Sequence, residues 1–443
     1  MAANNLPLRC CESLTGRRSA ITVAPERASA CVNELVPGRI LIVGVNYWPE
    51  TAGIGPYTTG LAEHLAATGA SVTVVTAVPH YPAWKVAPAY ERGGPHTETR
   101  KGVTIRRVRP RMPDQMTAAS RAAFEASFAL KAHTVAADMK ADAVIGVVPS
   151  LAGAGLGAWI AHRRRIPYGV IFQDLMGRSA EQSGMAGSGV AAITAALERR
   201  VARAADVVGV VATGFSSFLE SAGVEPRRLR HLPNWCHIHP SRRARLTTRA
   251  ELGWREGQTI VLHAGNMGAK QALENVIHAA KLAQTERPDL QFVLMGDGSH
   301  RRALEEMGRG IRNLAFLDPQ PSDKFPDVLA AADVLLVNER ATVRDMSLPS
   351  KLTSYFACGR PVVAAVRSDG TTAAEMERAG AGVVVAPGNP QALIDAVTAL
   401  RLDPQRAAAL GASGYAYATD YLGEVAAAER SVGFATDLLS CAR

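Results

Sequence analysis

The chain has few of the features that mark several common classes of protein. Its six cysteines are scattered over 443 residues and form no CxxC pair, so neither a disulfide framework nor a structural zinc site is expected. It also lacks a helix-turn-helix, zinc-finger or RNA-recognition signature, which disfavours nucleic acid as a partner. Thiols that are not arranged for pairing are typical of the cytoplasm, and we expect a cytoplasmic protein.

The sequence also lacks a clear signal peptide or membrane span. Residues 1–38 are small and polar without an apolar stretch, and we expect a disordered leader there. The longest uncharged run, 143–161, is interrupted by Pro149 and then by closely spaced glycines, which suit a helix poorly. We interpret this run as a buried strand, a glycine-rich turn and a core helix.

Acidic residues are fewer than basic ones. The chain has 49 Lys and Arg against 40 Asp and Glu, a formal net charge of +9. One interpretation is a solvated surface rich in arginine. The other is a face that contacts anionic lipid or the phosphates of a substrate, which would make peripheral contact with an anionic membrane an expected partnership.

Buried apolar runs alternate with amphipathic segments in two successive series. In the first, a glycine loop separates the run 40–45 from Tyr57, Leu61 and Leu65, which share one helix face. Two such series predict an α/β protein of two Rossmann-like, doubly wound domains that face a cleft. The predicted organisation is a leader at 1–38, a first domain at 39–236, a linker at 237–248, a second domain at 249–414 and a closing helix at 415–443 that returns toward the first domain.

The predicted strands have the length and apolar character of central parallel strands. Ligands of such sheets bind beyond the carboxyl ends of the strands, so the loops that follow them are candidate site segments. The strands are predicted at 40–45, 72–78, 143–148, 168–173, 206–211 and 229–233 in the first series, and at 259–264, 291–295, 314–317, 333–337, 361–366 and 382–386 in the second.

The first glycine loop follows the first strand. Gly53 and Gly55 would let backbone N–H groups approach a phosphate at the start of a helix, although many such turns bind nothing. The loop is not a complete dinucleotide fingerprint, because Thr58 stands where a third glycine is required. A nicotinamide cofactor is therefore disfavoured.

The second glycine loop adds a cation. Gly265, Asn266 and Gly268 precede Lys270, which is predicted to open a helix. A diphosphate leaving group needs backbone donors together with a positive charge. A lysine in a first helical turn is unfavourable against the helix dipole, which favours a functional role over a solvated one.

Three more segments are candidates for the same cleft. Gly296 and Gly298 follow a strand and would either pack against a nucleotide base or form an ordinary turn. Ser350 is predicted to cap a helix that begins with Lys351, which again places a cation near a donor anion. Asp174 follows the strand 168–173 and would orient a hydroxyl of donor or acceptor, or else cap the next turn.

These segments together resemble glycosyltransferase family 4, retaining enzymes of the GT-B fold. The resemblance extends from residue 39 to about residue 398, and it is nearest to the colanic-acid-type fucosyltransferases of exopolysaccharide operons. It is carried by the segments NYWPETAGIGPYTTGLAEHLAATGASVTVVTAVPHYP, FQDLMGRSA, LPNW, HAGNMGAKQALENVI, VLMGDG and LPSKLTSYFACGRPVV.

The resemblance implies a donor site that departs from the family pattern. The usual pair of acidic residues falls on Met346 and Ser354, and Asn266 stands near the place of the usual arginine, so the donor-binding role shifts toward Lys351. Lys270 matches the family's lysine. The predicted catalytic residues are Lys270, Lys351 and Asp174, the predicted donor-binding residues are Gly53, Gly55, Gly265, Asn266, Gly268, Gly296, Gly298, Ser350 and Ser354, and no metal ligands are predicted.

The implied activity is transfer of a hexose or deoxyhexose from a GDP- or UDP-sugar to a glycan, with the acceptor lipid-linked at the inner face of the plasma membrane. The donor is a substrate, and no metal or other cofactor is expected. Two alternatives stay open at this point. One is a nucleotide-sugar-binding protein without catalysis that works within a polysaccharide complex, and the other is a sugar-nucleotide 2-epimerase.

Overall fold

The computed structural model describes residues 36–441 except 52, 93–95, 116, 177–187, 237 and 344–349. Most of the predicted leader, 1–35, therefore lies outside the described residues. Its last part is ordered, because Val36 is buried and its N–H donates to the carbonyl of Thr68 at 3.0 Å. The prediction of disorder is wrong for 36–38, where an apolar side chain completes the core beside the first strand.

The first sheet is parallel except at one edge. Its strands in the described part of the chain lie in the order β3-β4-β2-β1-β5-β6-β7-β8, and β3 alone among them runs antiparallel to its neighbour. The sequence predicted all but β3 and β4, with ends that differ by at most two residues. The strands are β1 (Arg39–Val43), β2 (Ser71–Ala77), β3 (His96–Arg100), β4 (Val103–Val108), β5 (Ala143–Val148), β6 (Tyr168–Phe172), β7 (Val207–Val210) and β8 (Leu229–His231).

The hairpin of β3 and β4 was not predicted, because β3 is an edge strand with polar side chains on both faces. Lys101 and Gly102 form its turn with φ of 43° and 81°. An apolar-run criterion finds central strands and misses such an edge.

Helices pack on both faces of the first sheet. Tyr57, Leu61 and Leu65 are buried on one face of the first helix, as predicted. The glycines after Pro149, which were predicted to form a turn, lie inside a helix. Glycine is tolerated there because Gly157 lets the helix pack closely on Tyr168 and Val144. The helices are α1 (Gly55–Ala67), α2 (Ala118–Ala136), α3 (Leu151–Arg164), α4 (Ser188–Ala204) and α5 (Thr213–Ser221).

The second sheet is parallel throughout the described residues, in the order β11-β10-β9-β12-β13-β14. Its strands were all predicted to within one residue. They are β9 (Thr259–Ala264), β10 (Leu290–Met295), β11 (Leu314–Leu317), β12 (Val334–Asn338), β13 (Val362–Ala365) and β14 (Gly382–Val385).

The segment predicted as a linker, 237–248, contains the start of a helix. Arg245 and Arg249 of that helix bind Asp333 at the start of β12, which ties it to the second sheet. The helices that follow β8 are α6 (Arg245–Glu251), α7 (Glu274–Glu286), α8 (Arg301–Met307), α9 (Phe325–Ala331), α10 (Lys351–Ala357), α11 (Thr371–Ala379), α12 (Pro390–Leu402), α13 (Pro404–Ala416) and α14 (Glu424–Ser440).

The chain ends by crossing back to the first sheet. The segment predicted as one closing helix, 415–443, is divided: α13 ends at Ala416, a π-helical turn spans Tyr417–Tyr421, and α14 follows. α14 packs against α1 and β7. Among the described helices, none has the length and apolarity needed to cross a bilayer.

Both sheets are doubly wound, which confirms the predicted fold class. Each has a point where the strand order reverses, between β1 and β5 in the first sheet and between β9 and β12 in the second. Crevices at such points are where open α/β sheets bind ligands.

Candidate functional site

The loops after β9 and β10 are packed on each other without space for side chains. A Cβ on Gly296 would lie 1.9 Å from the carbonyl oxygen of Gly265, and a Cβ on Gly298 would lie 2.6 Å from that of Met267. Both glycines have positive φ, 140° and 155°. They bring the two loops together, whereas contact with a nucleotide base stays a prediction.

The β9 loop itself is held by one side chain. Gln271 accepts the N–H of Gly268 at 3.1 Å through Oε1, and the amide of Asn266 lies 3.5 Å from the same oxygen. Asn266 is exposed and Gly265 is partly exposed with φ of 129°. The loop therefore presents backbone and amide groups at the switch point of the second sheet.

Lys270 does not open the helix that follows the loop. It lies in a separate 3-10 turn, Ala269–Gln271, which ends where Ala272 adopts φ of 42°, and α7 begins only at Glu274. The sequence prediction of a first-turn lysine is wrong, because this left-handed residue interrupts the helix.

The turn that carries Lys270 is fixed by the end of β12. Asn338 is buried and donates to the carbonyls of Gln271 and Ala272 at 2.7 and 2.9 Å. The N–H of Arg340 donates to the carbonyl of Lys270 at 2.9 Å. A rigid backbone of this kind restricts where the lysine side chain can reach.

Lys351 lies against the end of β9. Its Nζ is 3.3 Å from Nε2 of His263, and the same nitrogen would be 3.4 Å from a Cβ on Gly265. Burial lowers the pKa of Lys351 to about 7, and the carboxylate of Glu339 partly opposes this. Burial and the charge of Lys351 hold the pKa of His263 well below its usual value, so this imidazole is neutral.

Ser350 does not cap the helix that Lys351 begins. No side-chain hydrogen bond of Ser350 caps α10, and its backbone is itself helical with φ of −57° and ψ of −22°. Its side chain is exposed and its carbonyl accepts the hydroxyl of Thr353 at 2.8 Å. A capping side chain needs an extended backbone at this position, which is why the predicted cap is wrong.

Ser354 is buried within α10, which gives it no open surface of its own toward a ligand. The neighbouring residues Met346, Leu348 and Pro349, on which part of the donor-site reasoning depended, lie outside the described residues.

Glu339 was missed by the sequence analysis. It follows β12 directly, and its Oε1 accepts the hydroxyl of Thr372 at 2.9 Å. Burial raises the pKa of this carboxyl, while the charges of Lys351 and Lys270 lower it. The signal that could have found it is the switch point, because the end of β12 must lie beside the end of β9.

Asp174 follows β6, at the carboxyl edge of the first sheet, as predicted. Burial raises its pKa to about 6, and the positive charge of Lys270 in the second sheet's loops opposes this rise. Burial raises the pKa of Tyr81, and the negative charge of Asp174 raises it further. These electrostatic effects indicate that Asp174 lies near both Tyr81 and Lys270.

The loop after β1 is built around a buried carboxylate that the sequence analysis did not single out. Oε1 of Glu50 accepts the N–H groups of His80 and Tyr81, both at 2.9 Å. Gly53 has φ of 63°, and a Cβ there would lie 2.8 Å from the ring of Tyr81. Gly55 is equally confined, because a Cβ there would lie 2.8 Å from the carbonyl oxygen of Glu50.

Two hydrogen bonds connect the halves of the molecule close to these residues. The hydroxyl of Tyr57 in α1 is hydrogen-bonded to Thr353 in α10. Arg378 in α11 donates to the hydroxyl of Thr213 in α5 at 3.0 Å. The start of α1 thus meets the start of α10, and the space between the carboxyl ends of the two sheets is called the cleft below.

The cleft combines cations with hydroxyl-binding groups. Lys270 and Lys351 supply positive charge on either side of the β9 loop, and Glu339 and Asp174 supply carboxylates. Such a set can hold a diphosphate, stabilise charge that develops on it and orient hydroxyl groups.

Protein families and relatives match almost the whole described chain. Residues 52–235 match the family described as Glycosyl transferase 4-like domain, and residues 258–403 match the family described as Glycosyl transferases group 1. The colanic acid biosynthesis glycosyl transferase WcaI of Escherichia coli K12 is 33% identical over 337 residues, which cover 72% of this chain and 81% of that protein.

A second relative and a solved structure extend this likeness. The GDP-mannose-dependent alpha-(1-6)-phosphatidylinositol monomannoside mannosyltransferase of Mycolicibacterium smegmatis is 29% identical over 233 residues, covering 50% of this chain and 60% of its own. HepE of Anabaena, solved in complex with UDP-glucose, superposes with a TM-score of 0.65 at 17% identity, covering 89% of this chain and 98% of that one. The structural likeness shows a shared fold.

Proposed function

The chain belongs to glycosyltransferase family 4, with the GT-B fold, and on that premise we propose that it transfers a hexose or deoxyhexose from a GDP- or UDP-sugar to a glycan acceptor with retention of configuration. That it is a glycosyltransferase of glycan biosynthesis follows from its relatives. The donor, the stereochemistry and the acceptor are the proposed part.

The observation that carries the proposal is the placement of Lys270 and Lys351 around the loop after β9. Both charges act on Glu339, so the two ammonium groups lie near one carboxylate at the switch point. We assign the donor diphosphate to this place. As the bond between the anomeric carbon and the diphosphate oxygen breaks, negative charge grows on the leaving group, and the lysines stabilise it without a metal ion.

Asp174 is assigned to the acceptor side of the reaction. Its carboxylate accepts a hydrogen bond from the acceptor hydroxyl. As this oxygen bonds to the anomeric carbon in place of the diphosphate oxygen, the hydroxyl proton passes to the carboxylate and from there to solvent. Lys270 lowers the pKa of Asp174 against the effect of burial, which favours the ionised form near neutral pH. Closure of the cleft would exclude water, which otherwise hydrolyses the donor.

The acceptor is proposed to be lipid-linked and to bind beside the loops that follow β2 and β4. They enclose about 740 Å³ at the carboxyl edge of the first sheet, lined among others by Trp84, Lys85 and Arg109. The aromatic face of Trp84 suits a sugar ring, while Glu91 and Asp114 on the same lining balance the charge of the two cations. The mannosyltransferase relative is named for a phosphatidylinositol-linked acceptor, which agrees with this assignment.

Contact with the inner face of the plasma membrane is proposed for the outer helices of the first sheet. Leu130 of α2, Trp159 of α3 and Ile193 of α4 are exposed large apolar side chains on helices that pack side by side. The guanidinium of Arg163 lies 5.6 Å from the ring of Trp159. Apolar side chains with adjacent cations favour a surface of anionic lipid, where a cytoplasmic enzyme would meet its acceptor.

The experiment that tests the proposed activity uses the full chain with radiolabelled UDP- and GDP-sugars and a lipid-linked glycan extract. Transfer of label to the lipid fraction is expected. Recovery of an epimerised donor would instead identify a 2-epimerase, and nucleotide binding without any turnover would identify a binding protein. Either of these outcomes would contradict the proposal.

A further inference from the structure

A groove of about 460 Å³ runs along α1. Its floor is one face of that helix, with Pro56, Gly60, His64 and Ala67 at helical spacing. One wall carries Trp48 and two cations, and the other carries Trp235 and an acidic residue. A groove of this volume is within the range of small-ligand sites.

Trp48 is an exposed aromatic platform with a fixed backbone. Its N–H donates to the hydroxyl of Thr59 at 2.9 Å, and its carbonyl accepts Nη2 of Arg107 at 2.6 Å. Arg107 is fully buried, yet the indole that it positions is 37% exposed. The guanidinium of Arg100 lies 5.0 Å from the indole and holds its orientation. A side chain restrained in this way loses little freedom when a ligand stacks on it.

The second tryptophan depends on a glycine in the middle of α1. A Cβ on Gly60 would lie 2.9 Å from both Cζ2 and Nε1 of Trp235, so the indole rests directly on the helix. Glycine in a helix interior is unfavourable, and here it allows a close approach that no other residue would allow. Both walls of the groove thus end in aromatic rings.

The groove has no excess of positive charge, because Glu50, Glu63 and Glu424 line it together with two cations. Glu63 pairs with Arg100 and, at 3.0 Å, with Lys101. Glu424 lines the opposite wall without adding a cation there. A site for lipid headgroups or other polyanions needs an excess of positive charge, which this groove does not offer. It offers aromatic faces together with both hydrogen-bond donors and acceptors, which suit a neutral ligand rich in hydroxyl groups.

We infer that this groove binds the neutral sugar units of the acceptor glycan that lie beyond the reacting one, with a sugar ring stacked on Trp48. Glu50 connects the groove with the acceptor side, because it lines the groove and also accepts the backbone N–H of Tyr81 at 2.9 Å. The inference rests on the proposed function, because it places a longer acceptor relative to the same cleft.

The test measures binding of the full chain to an array of neutral and acidic oligosaccharides of two to six sugar units. The parent is expected to bind neutral members of three units or more. Trp48→Ala should weaken this binding at least about tenfold, and Trp48→Phe should retain most of it, because an aromatic face remains. Tyr415→Ala is the matched control, since it removes an exposed aromatic side chain from α13, outside the groove.

Nucleotide binding is measured on the same proteins by thermal shift with UDP and with GDP. All variants should be stabilised by nucleotide as the parent is, which also shows that they fold. Three results would overturn the inference: no oligosaccharide bound, binding unchanged in Trp48→Ala, or binding confined to acidic members and lost in salt. If neither UDP nor GDP stabilises the parent, the proposed function is overturned instead. The two failures are therefore distinguishable.

Discussion

Lys351 and His263 form a close pair in which the ammonium nitrogen lies 3.3 Å from the imidazole Nε2. With its proton on Nδ1, the neutral imidazole accepts a hydrogen bond from the lysine but provides no compensating charge. The charge of the half-buried lysine is therefore offset by Glu339 and not by the imidazole. A donor diphosphate would add negative charge beside the lysine, and this expectation connects the geometry to function.

Lys270→Ala should lower turnover about a hundredfold or more while the fold is retained, because removal of one group that stabilises a developing oxyanion has this effect. Steady-state transfer kinetics and thermal unfolding check the two parts. Lys281→Ala, on the exposed face of α7, is the control and should leave turnover unchanged. Near-normal turnover in Lys270→Ala would remove this lysine from the site.

Asp174→Asn should raise stability at neutral pH. Because burial raises the pKa of Asp174 to about 6, the folded state holds a proton that the unfolded chain has released above about pH 4. Stability of the parent is thus lost as the pH rises from about 4 through 6. Urea unfolding should show the variant to be more stable by up to about 3 kcal/mol at pH 8 and little different at pH 4.

The exposed Asp138→Asn is the control for that comparison and should show no such difference. Lys270→Ala supplies a second check, because loss of its charge raises the pKa of Asp174 further. In Lys270→Ala, the pH range over which stability falls should therefore extend to higher pH than in the parent. An equal stability difference at both pH values would contradict the assignment.

Gly53→Ala should destabilise the loop after β1. A left-handed backbone costs an alanine about 1–2 kcal/mol, and the new Cβ would also displace the ring of Tyr81. Gly155→Ala in α3 is the matched control, since nothing lies within 4 Å of its new Cβ and helix propensity favours alanine. Urea unfolding should show a loss for the first variant and a small gain for the second, and equal stabilities would contradict the described loop.

Binding to vesicles should require anionic lipid and weaken as salt rises, because exposed charges are screened within about 10 Å at 0.1 M. Leu130→Glu should reduce co-sedimentation with such vesicles. Leu402→Glu is the control on the second sheet's side, since the two leucines are 72% and 74% exposed. Equal loss in both variants, or equal binding of the parent to neutral vesicles, would contradict the proposed membrane face.

The local pattern of apolar residues and glycines predicted the fold well, because buried parallel strands are apolar runs with glycine loops at their ends. It also singled out Lys270 and Lys351 as candidates, since each lies next to a recognisable turn, and their roles stay predictions. It could not identify Glu339, whose place beside Lys351 depends on β12 lying next to β9 in the sheet. Nor could it show that Ala272 separates Lys270 from its helix, because a left-handed alanine has no sequence signature.

The central claim, that Lys351 binds the donor diphosphate, is tested most directly by proton linkage in calorimetry. At pH 8 the lysine is mostly neutral in the free protein, because burial lowers its pKa to about 7. A bound diphosphate raises that pKa, so binding should take up a proton, while the nucleotide is already fully ionised.

Titrations of UDP and GDP at pH 8, in two buffers of different ionisation enthalpy, should therefore give different apparent enthalpies for the preferred nucleotide. Lys351→Met keeps the volume of the side chain without its charge, and it should bind about 10- to 100-fold more weakly with no buffer dependence. Identical enthalpies in both buffers, together with undiminished affinity of Lys351→Met, would contradict the account.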